Sequence, residues 1–366
     1  MVGTRPEAIK LAPVAHALKG RGLSPLLILT GQQPIDCAQY GLNGFDRVAL
    51  DCPGQRNPHR HVAQVAAALT NQFEASAPRL LVVQGDTSSA FGSARAAFAS
   101  GLAVAHVEAG LRTHDPRQPW PEEEYRVAID AQAELLFAPT QGAATNLRAE
   151  RVPGAIHVTG NTGVDALRGV LDRLPAPRPG KANAPRILVT CHRRESWGRG
   201  LASIARALTK VVERKLGHVE LILHPNPHVS RAMQRKLEGV PNIEMVEPCS
   251  YSELVQRMRD ADLILSDSGG IQEEAPTVGT PLLILRDKTE RPEGILSGNA
   301  RLVGTKSEAI LNEVERLLTN SRALRAMSSP AFPYGDGRAA PRIAEIIDGW
   351  LKALVTPTGL EPVFSP

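Results

Sequence analysis

Three carboxylates have the placement that proton chemistry needs. Asp86 follows the apolar run 80–83 in Gln84-Gly85-Asp86, and Glu108 follows the run 102–107 in Glu108-Ala109-Gly110. Glu122 opens a helical stretch after Trp120-Pro121. In an open α/β sheet, ligands sit beyond the carboxyl ends of the strands. Asp86 and Glu108 are therefore expected at neighbouring strand ends facing one crevice, with Glu122 at the start of the next helix. Carboxylates gathered in a partly buried cleft repel one another, and that repulsion raises a pKa towards neutrality. Each one alone reads more readily as a helix cap or a solvated side chain. The three together, after two strands and a Trp-Pro turn, point to acid–base catalysis.

The second half carries a different chemistry. Ser266-Asp267-Ser268-Gly269-Gly270-Ile271-Gln272-Glu273-Glu274 follows an apolar strand and opens a helix. Ser268, Gly269 and Gly270 would present backbone N–H groups to an anion at a helix N-terminus. This is a phosphate cradle without the lysine of a P-loop. Glu274 lies almost two turns on, within reach of ribose hydroxyls. Arg291 supplies a planar fork suited to a diphosphate. His192 follows the strand 187–190 and is placed to bind phosphate or assist a leaving group, and His224 has a similar strand-end position with a weaker claim. Arg5 and Lys10, in the first turns of the first helix, face the same cleft. A diphosphate cradle, cationic clamps and carboxylates together suit a nucleotide sugar bound without metal or other cofactor.

The elements that must hold these residues alternate between short apolar runs and helical stretches, the pattern of a parallel α/β sheet. Thr4 and Glu7 have capping-box spacing, with helix signals running to about residue 19. Further strands are expected at 23–29, 134–137, 156–158, 187–190, 221–223, 243–246, 263–265, 282–285 and 302–303, and helices at 59–75 and 339–353. Almost none of an apolar first strand precedes Gly3-Thr4-Arg5. Either most of that strand is absent or the native start lies upstream of Met1. The chain has 366 residues and 42 % apolar residues, enough for two domains. The boundaries expected are 1–165, a Rossmann-like unit with the carboxylates, 166–337, a Rossmann-like nucleotide-binding unit, and 338–366, a helix packing back on the first unit followed by a disordered tail. The segment 174–185 reads as a linker or surface loop.

Net charge is +4, spread along the chain without a like-charge run, so no nucleic-acid platform is indicated. Cys37, Cys52, Cys191 and Cys249 form no CxxC pair and no His cluster has zinc spacing, so neither disulfides nor a metal site are expected. There is no signal peptide and no long apolar span, so no membrane partner is expected and the cytoplasm is the default compartment.

Gly3-Thr4-Arg5-Pro6-Glu7-Ala8-Ile9-Lys10, Gln84-Gly85-Asp86-Thr87, His106-Val107-Glu108-Ala109-Gly110-Leu111-Arg112-Thr113, Pro119-Trp120-Pro121-Glu122-Glu123, Thr159-Gly160-Asn161-Thr162, His192-Arg193-Arg194-Glu195-Ser196, Asp267-Ser268-Gly269-Gly270-Ile271-Gln272-Glu273-Glu274-Ala275-Pro276, Thr289-Glu290-Arg291-Pro292-Glu293 and Pro333-Tyr334-Gly335-Asp336-Gly337 resemble the bacterial non-hydrolysing UDP-N-acetylglucosamine 2-epimerases. The resemblance runs in order from residue 3 to about residue 337. It implies a glycosyltransferase-B-like fold of two Rossmann-like domains around a deep cleft, a homodimer, and interconversion of UDP-N-acetylglucosamine with UDP-N-acetylmannosamine, a precursor for surface polysaccharide. It implies that Asp86, Glu108 and Glu122 form the acid–base set, that His192 assists the departing diphosphate, and that Arg5, Lys10, Ser268, Gly269, Gly270, Glu274 and Arg291 bind UDP. By spacing, Leu254 stands where relatives carry an aromatic residue against uracil, with Cys249 near the uracil edge. Gln33 replaces the histidine of the usual Gly-Gln-His turn, in a region that belongs to an activating substrate site in bacterial relatives. The competing readings are a hydrolysing epimerase releasing N-acetylmannosamine and UDP, a relative acting on a diacetamido uronic acid nucleotide, a glycosyltransferase of the same fold, and a silent nucleotide-sugar sensor.

Overall fold

The computed structural model describes residues 1–175, 184–191 and 198–354. His192, most of the expected linker and the tail beyond residue 355 lie outside the described residues. The first half runs α1 (Arg5–Gly20), β1 (Leu27–Leu29), β2 (Arg47–Ala49), α2 (Pro58–Ser76), β3 (Leu81–Gln84), α3 (Ser88–Ala99), β4 (Val104–Val107), α4 (Glu122–Asp130), β5 (Leu135–Ala138), α5 (Gln141–Ala149), β6 (Ala155–Val158) and α6 (Thr162–Leu171). The second half runs β7 (Arg186–Thr190), α7 (Arg199–Glu213), β8 (His218–Ile222), α8 (Pro227–Leu237), β9 (Ile243–Val246), α9 (Tyr251–Asp260), β10 (Leu263–Ser266), α10 (Gly269–Val278), β11 (Leu282–Ile284), α11 (Glu293–Leu296), β12 (Ala300–Leu302), α12 (Ser307–Thr319), α13 (Ser321–Met327) and α14 (Ala339–Ala353).

Every described strand pair is parallel. The second half forms one sheet in the order β12-β11-β10-β7-β8-β9, and the first half holds β3-β4-β5-β6 with β1-β2 as a separate pair. The strand order reverses at β7 and β10, whose ends are joined by a hydrogen bond of 2.7 Å between Thr190 Oγ1 and Ser266 Oγ. Parallel strands covered by helices on both faces are apolar almost throughout. Thus β5 and β10 are buried at every position. Ligands belong beyond the carboxyl ends of such sheets, and Asp86, Glu108 and Ser268 all follow strand ends.

The expected strand at 23–29 shortens to β1, because Pro25 lacks a ladder donor. The strand β2 was not expected from sequence; Arg-Val-Ala is short and lacks a buried face, so no periodicity marks it. The N-terminal residues give only an isolated bridge, Val2 to Leu29. Val2 N–H donates to the Ile28 carbonyl at 2.8 Å, and the Met1 ammonium donates to the Val82 carbonyl at 3.0 Å. No hydrogen bond joins β1 directly to β3 among the described residues. Beside them lies an apolar cavity of about 920 Å³, bounded by Leu11, Val14, Leu27, Phe73, Leu81 and Ile347.

Two long-range features connect the halves. Leu167 of α6 belongs to the apolar cluster of the second sheet, with Leu188, Ile264 and Ile284. In return, Ala340, Ile343, Ala344 and Ile347 of α14 pack in the cluster that contains Leu11 and Val14 of α1. The carboxylate of Asp165, on α6, accepts the first N–H groups of α14, from Ala339 at 3.1 Å and Ala340 at 2.8 Å. It supplies the cap that α14 lacks locally. Among the described residues no helix is long and apolar enough to cross a membrane.

Gly110 shows how tightly the first half is closed around the strand ends. Its φ is +85°, and a Cβ there would lie 2.3 Å from the Ala143 carbonyl oxygen. Both the backbone conformation and the contact exclude a side chain. Gly110→Ala is expected to destabilise the protein by about 2–4 kcal/mol, read as a lower urea midpoint. An unchanged midpoint would contradict this packing.

Candidate active site

Of the residues singled out in the sequence, Lys10, Glu108 and Arg291 meet where the two halves face each other. Glu108 sits at the end of β4 with φ +71°, a left-handed conformation uncommon outside glycine. Its carboxylate is buried and accepts from Lys10 Nζ at 2.5 Å, from the Gln84 side-chain amide, and from Arg291 Nη2 at 2.8 Å across the cleft. Glu273 of α10 closes the ring, 2.8 Å from Lys10 Nζ and 2.6 Å from Arg291 Nε. Two cations and two anions, all buried, thus join α1 and β4 to α10 and the loop before α11. Buried charges persist only when paired in this way. Further bridges between the halves run from Thr140 to Glu293 (2.5 Å) and from Lys288 to Asp115 (2.8 Å).

The electrostatics follow from burial. Desolvation raises the Glu108 carboxyl above its ordinary value, Glu273 adds to the rise, and Lys10 and Arg291 oppose it. Glu273 stays below its ordinary value, because Arg291 and Lys10 outweigh its own desolvation. The sequence suggested that Asp86, Glu108 and Glu122 would perturb one another. Among the largest influences on Glu108, the carboxylate is Glu273, from the other half of the chain.

Asp86 and Glu122 lie together on the first half of the chain. Both line a cavity of about 870 Å³, with Gln32, Gln33, Arg56 and Trp120. Asp86 is gripped by Arg126, whose Nε donates at 2.9 Å and whose Nη2 also contacts the same oxygen. Arg126 is held in turn by Glu123 at 2.8 Å, one helical turn earlier on α4. The second Glu123 oxygen accepts the backbone N–H groups of Thr113 and His114, both at 2.9 Å, and so shapes the loop after β4. Glu122 is the first residue of α4, where an acidic side chain complements the helix dipole. Arg5, exposed at the start of α1, donates its backbone N–H to the Gln33 side chain at 3.1 Å, on the rim of the same cavity.

In the second half, Ser268 precedes α10 and Gly269 and Gly270 begin it. The Arg291 guanidinium lies over these glycines, 2.9 Å from where a Gly269 Cβ would be. Arg291 is not the surface residue that its local sequence would suggest; it is 6 % exposed. The Tyr334 hydroxyl steadies it by donating to the Arg291 carbonyl at 3.0 Å while accepting from Gly294 N–H at 3.0 Å. Glu274 is buried and accepts from the Tyr251 hydroxyl at 2.7 Å. Burial raises its carboxyl to about 8, a rise that Tyr251 opposes and Glu273 increases. His224 is partly exposed, and its Nδ1 accepts the Asn226 N–H at 2.8 Å, which leaves the ring proton on Nε2. Cys249 and Leu254 are partly buried beside Tyr251 in the apolar cluster that Ile271 also joins. His192 falls outside the described residues.

Sequence reasoning missed five contributors: Gln84, Arg126, Tyr251, Glu273 and Glu290, the last gripping Arg291 from its N-terminal side. Gln84 and Glu273 lay inside motifs that were read, two positions and one position away from the residue chosen. Nothing local marks Tyr251 or Arg126, whose partners are 23 and 40 residues distant.

Similarity to known proteins agrees with this geometry. Residues 16–348 match a family model described as UDP-N-acetylglucosamine 2-epimerase. The UDP-N-acetylglucosamine 2-epimerase of Yersinia pestis is 41 % identical over 364 residues, covering 94 % of this chain and 96 % of that one. The crystal structure of the UDP-GlcNAc 2-epimerase from Neisseria meningitidis bound to UDP-GlcNAc has a TM-score of 0.89 at 34 % identity, over 95 % of this chain and 98 % of that chain. The Methanocaldococcus jannaschii UDP-GlcNAc 2-epimerase in complex with UDP-GlcNAc and UDP has a TM-score of 0.84 at 30 % identity, over 95 % and 98 %. The architecture is glycosyltransferase-B-like: two Rossmann-like units around a cleft.

Glu274 gives the site a thermodynamic signature. Its carboxyl, raised from 4.5 to about 8, binds a proton more tightly in the folded state. It therefore stabilises the fold below its unfolded pKa and loses that contribution as pH rises through its folded one. Glu274→Gln removes this dependence. The melting temperature of the variant relative to the parent should rise by at least about 3 °C between pH 5 and pH 8. The same difference at both pH values would mean that Glu274 is ionised in the fold.

Proposed function

The chain belongs to the UDP-N-acetylglucosamine 2-epimerase family, and from that premise we propose that it interconverts UDP-N-acetylglucosamine and UDP-N-acetylmannosamine without hydrolysis. The observation that carries the reading is the buried link between Glu108, at a strand end of one half, and Arg291, over the Gly269-Gly270 helix start of the other. It supports a reading in which a proton-transfer group and a diphosphate clamp work side by side.

The reaction divides into two balanced halves. A carboxylate takes the C2 proton as the C1–O bond to UDP breaks, and the electron pair of the C–H bond becomes the C1–C2 double bond of a 2-acetamidoglucal. UDP oxygen then re-forms the bond at C1 while a proton returns to C2 on the opposite face. Asp86, Glu108 and Glu122 supply the acid–base groups, since inversion at C2 needs proton carriers reaching both faces. His192 assists the departing diphosphate. Arg5, Lys10, His224, Ser268, Gly269, Gly270 and Arg291 receive its charge, Glu274 faces the ribose, and Cys249 and Leu254 flank the uracil. The two halves close while glucal and UDP are apart, because an escaped intermediate is lost. We further propose a homodimer, and a product that supplies N-acetylmannosamine units for surface polysaccharide.

Asp86→Asn, Glu108→Gln and Glu122→Gln should each lower kcat by about 10²–10⁴-fold, with UDP affinity changed much less. Near-parental rates in all three would remove the assignment.

Incubation with UDP-N-acetylglucosamine in D₂O, followed by proton NMR, tests the reaction itself. The expected outcome is UDP-N-acetylmannosamine, with the C2 proton signal lost from both sugars. Free N-acetylmannosamine plus UDP would establish the hydrolysing reaction instead.

A further inference from the structure

Behind the two strand ends lies a buried group that the reaction above does not use. His106 is the third residue of β4 and Asp130 the last of α4, and neither has any exposed surface. His106 Nδ1 lies 2.6 Å from Asp130 Oδ1, and Nε2 lies 2.8 Å from the Gly85 carbonyl oxygen. A carbonyl oxygen only accepts, so Nε2 carries a proton. Asp130 Oδ2 accepts the Gly110 N–H at 3.0 Å and lies 2.8 Å from Arg112 Nη2, the environment of an ionised carboxylate. Nδ1 must then donate as well. The charges facing the ring balance: Asp130 comes from α4, Arg112 from the loop after β4, and Glu150, following α5, takes the Arg112 guanidinium in two bonds of 2.7 and 2.6 Å. Burial alone would raise the Asp130 carboxyl, but His106 and Arg112 hold it below its ordinary value.

The two N–H bonds of the ring reach in opposite directions. One ends on Gly85, next to Asp86. The other ends on Asp130, which holds Gly110, two residues past Glu108. Gly85, Glu108 and Gly110 all have positive φ, at +66°, +71° and +85°. The turns that aim the two carboxylates thus leave regular strand geometry; neighbouring strands still take the Gly85, Glu108 and Ala109 N–H groups, while the Gly85 carbonyl and the Gly110 N–H go to His106 and Asp130. We infer that His106 is a doubly protonated strut which, with Asp130, sets the spacing between Asp86 and Glu108. It is a positioning residue, and the inference rests on the reading of those carboxylates as acid–base groups.

The test begins with ¹⁵N-histidine-labelled protein, the His106 signals being those lost in His106→Gln. Both ring nitrogens are expected to carry a proton in the folded protein, read from their one-bond N–H couplings, because each faces an acceptor. A ring with one bare nitrogen would overturn the doubly protonated strut. Asp130→Asn keeps an acceptor for Gly110 but turns an amide N–H towards Nδ1, which should drive the ring neutral. Its kcat is expected to fall about 10–100-fold, the scale of a small misplacement of reacting groups, with KM and UDP affinity within threefold of the parent. Val65→Ala, in the α2 core, controls for lost stability, and it should lower the melting temperature without this loss of kcat. Should Asp130→Asn not fold, His106→Gln, which retains one donor, should show the same split. A full rate in the strut variant beside inactive Asp86→Asn and Glu108→Gln would overturn the strut alone. Active carboxylate variants would overturn the acid–base reading beneath it.

Discussion

The rest of the site depends on four buried charges. Lys10, Glu108, Arg291 and Glu273 come from four separate elements and form one closed ring of ion pairs across the cleft. Removing a single member would leave an uncompensated buried charge, a change that typically costs about 3–5 kcal/mol. Opening the cleft is another matter. If the halves separate, every member regains water, and the lost Coulomb energy is largely offset by hydration. An interface made of ions can therefore be closed and dry yet inexpensive to part. An apolar seam of the same area would not be, because its exposure carries a penalty proportional to area. The reaction proposed above, which holds a neutral intermediate and UDP together and then lets the nucleotide sugar go, would need that combination.

The same ring explains why Arg291 is clamped by three carboxylates, those of Glu273, Glu290 and Glu108. Its guanidinium is already desolvated and fixed in direction over the start of α10. On the proposed reading, a diphosphate arriving there replaces Glu108 as the anion opposite Arg291, without first having to order a mobile side chain. That exchange removes one of the two cations that oppose the rise of the Glu108 carboxyl, which favours uptake of a proton. In that reading, binding of the leaving group and tuning of the proton carrier are coupled through one arginine.

Much of this was legible in the sequence, and the unevenness has physical causes. The helix 339–353 and the strand 243–246 have the bounds read from periodicity, because a continuous apolar face marks each one. Asp86, Glu108 and Gly269-Gly270 were found because position after an apolar run is a local signal. Glu273 and Arg126 were not singled out, because their roles come from partners that no local pattern names. Glu273 meets Lys10 from far along the chain. The strand β2 escaped because it is short, with its first and last residues exposed.

The N-terminus tests how far a local motif can protect a site. The sheet is divided between β1 and β3, with an apolar cavity alongside, and a loose α1 would carry Lys10 away from Glu108. Glu7 prevents this. Its carboxylate closes the capping box with Thr4, and it also accepts the Gly3 N–H at 2.7 Å and the Thr87 hydroxyl at 2.6 Å. Thr87 directly follows Asp86 and caps α3. One buried side chain thus ties the start of α1 to the turn that carries Asp86. Burial raises the Glu7 carboxyl, yet four hydrogen bonds to its oxygens act against that rise. Lys10 lies one turn beyond this anchor, so its reach to Glu108 is set by the α-helical rise, and the incomplete sheet behind it does not enter.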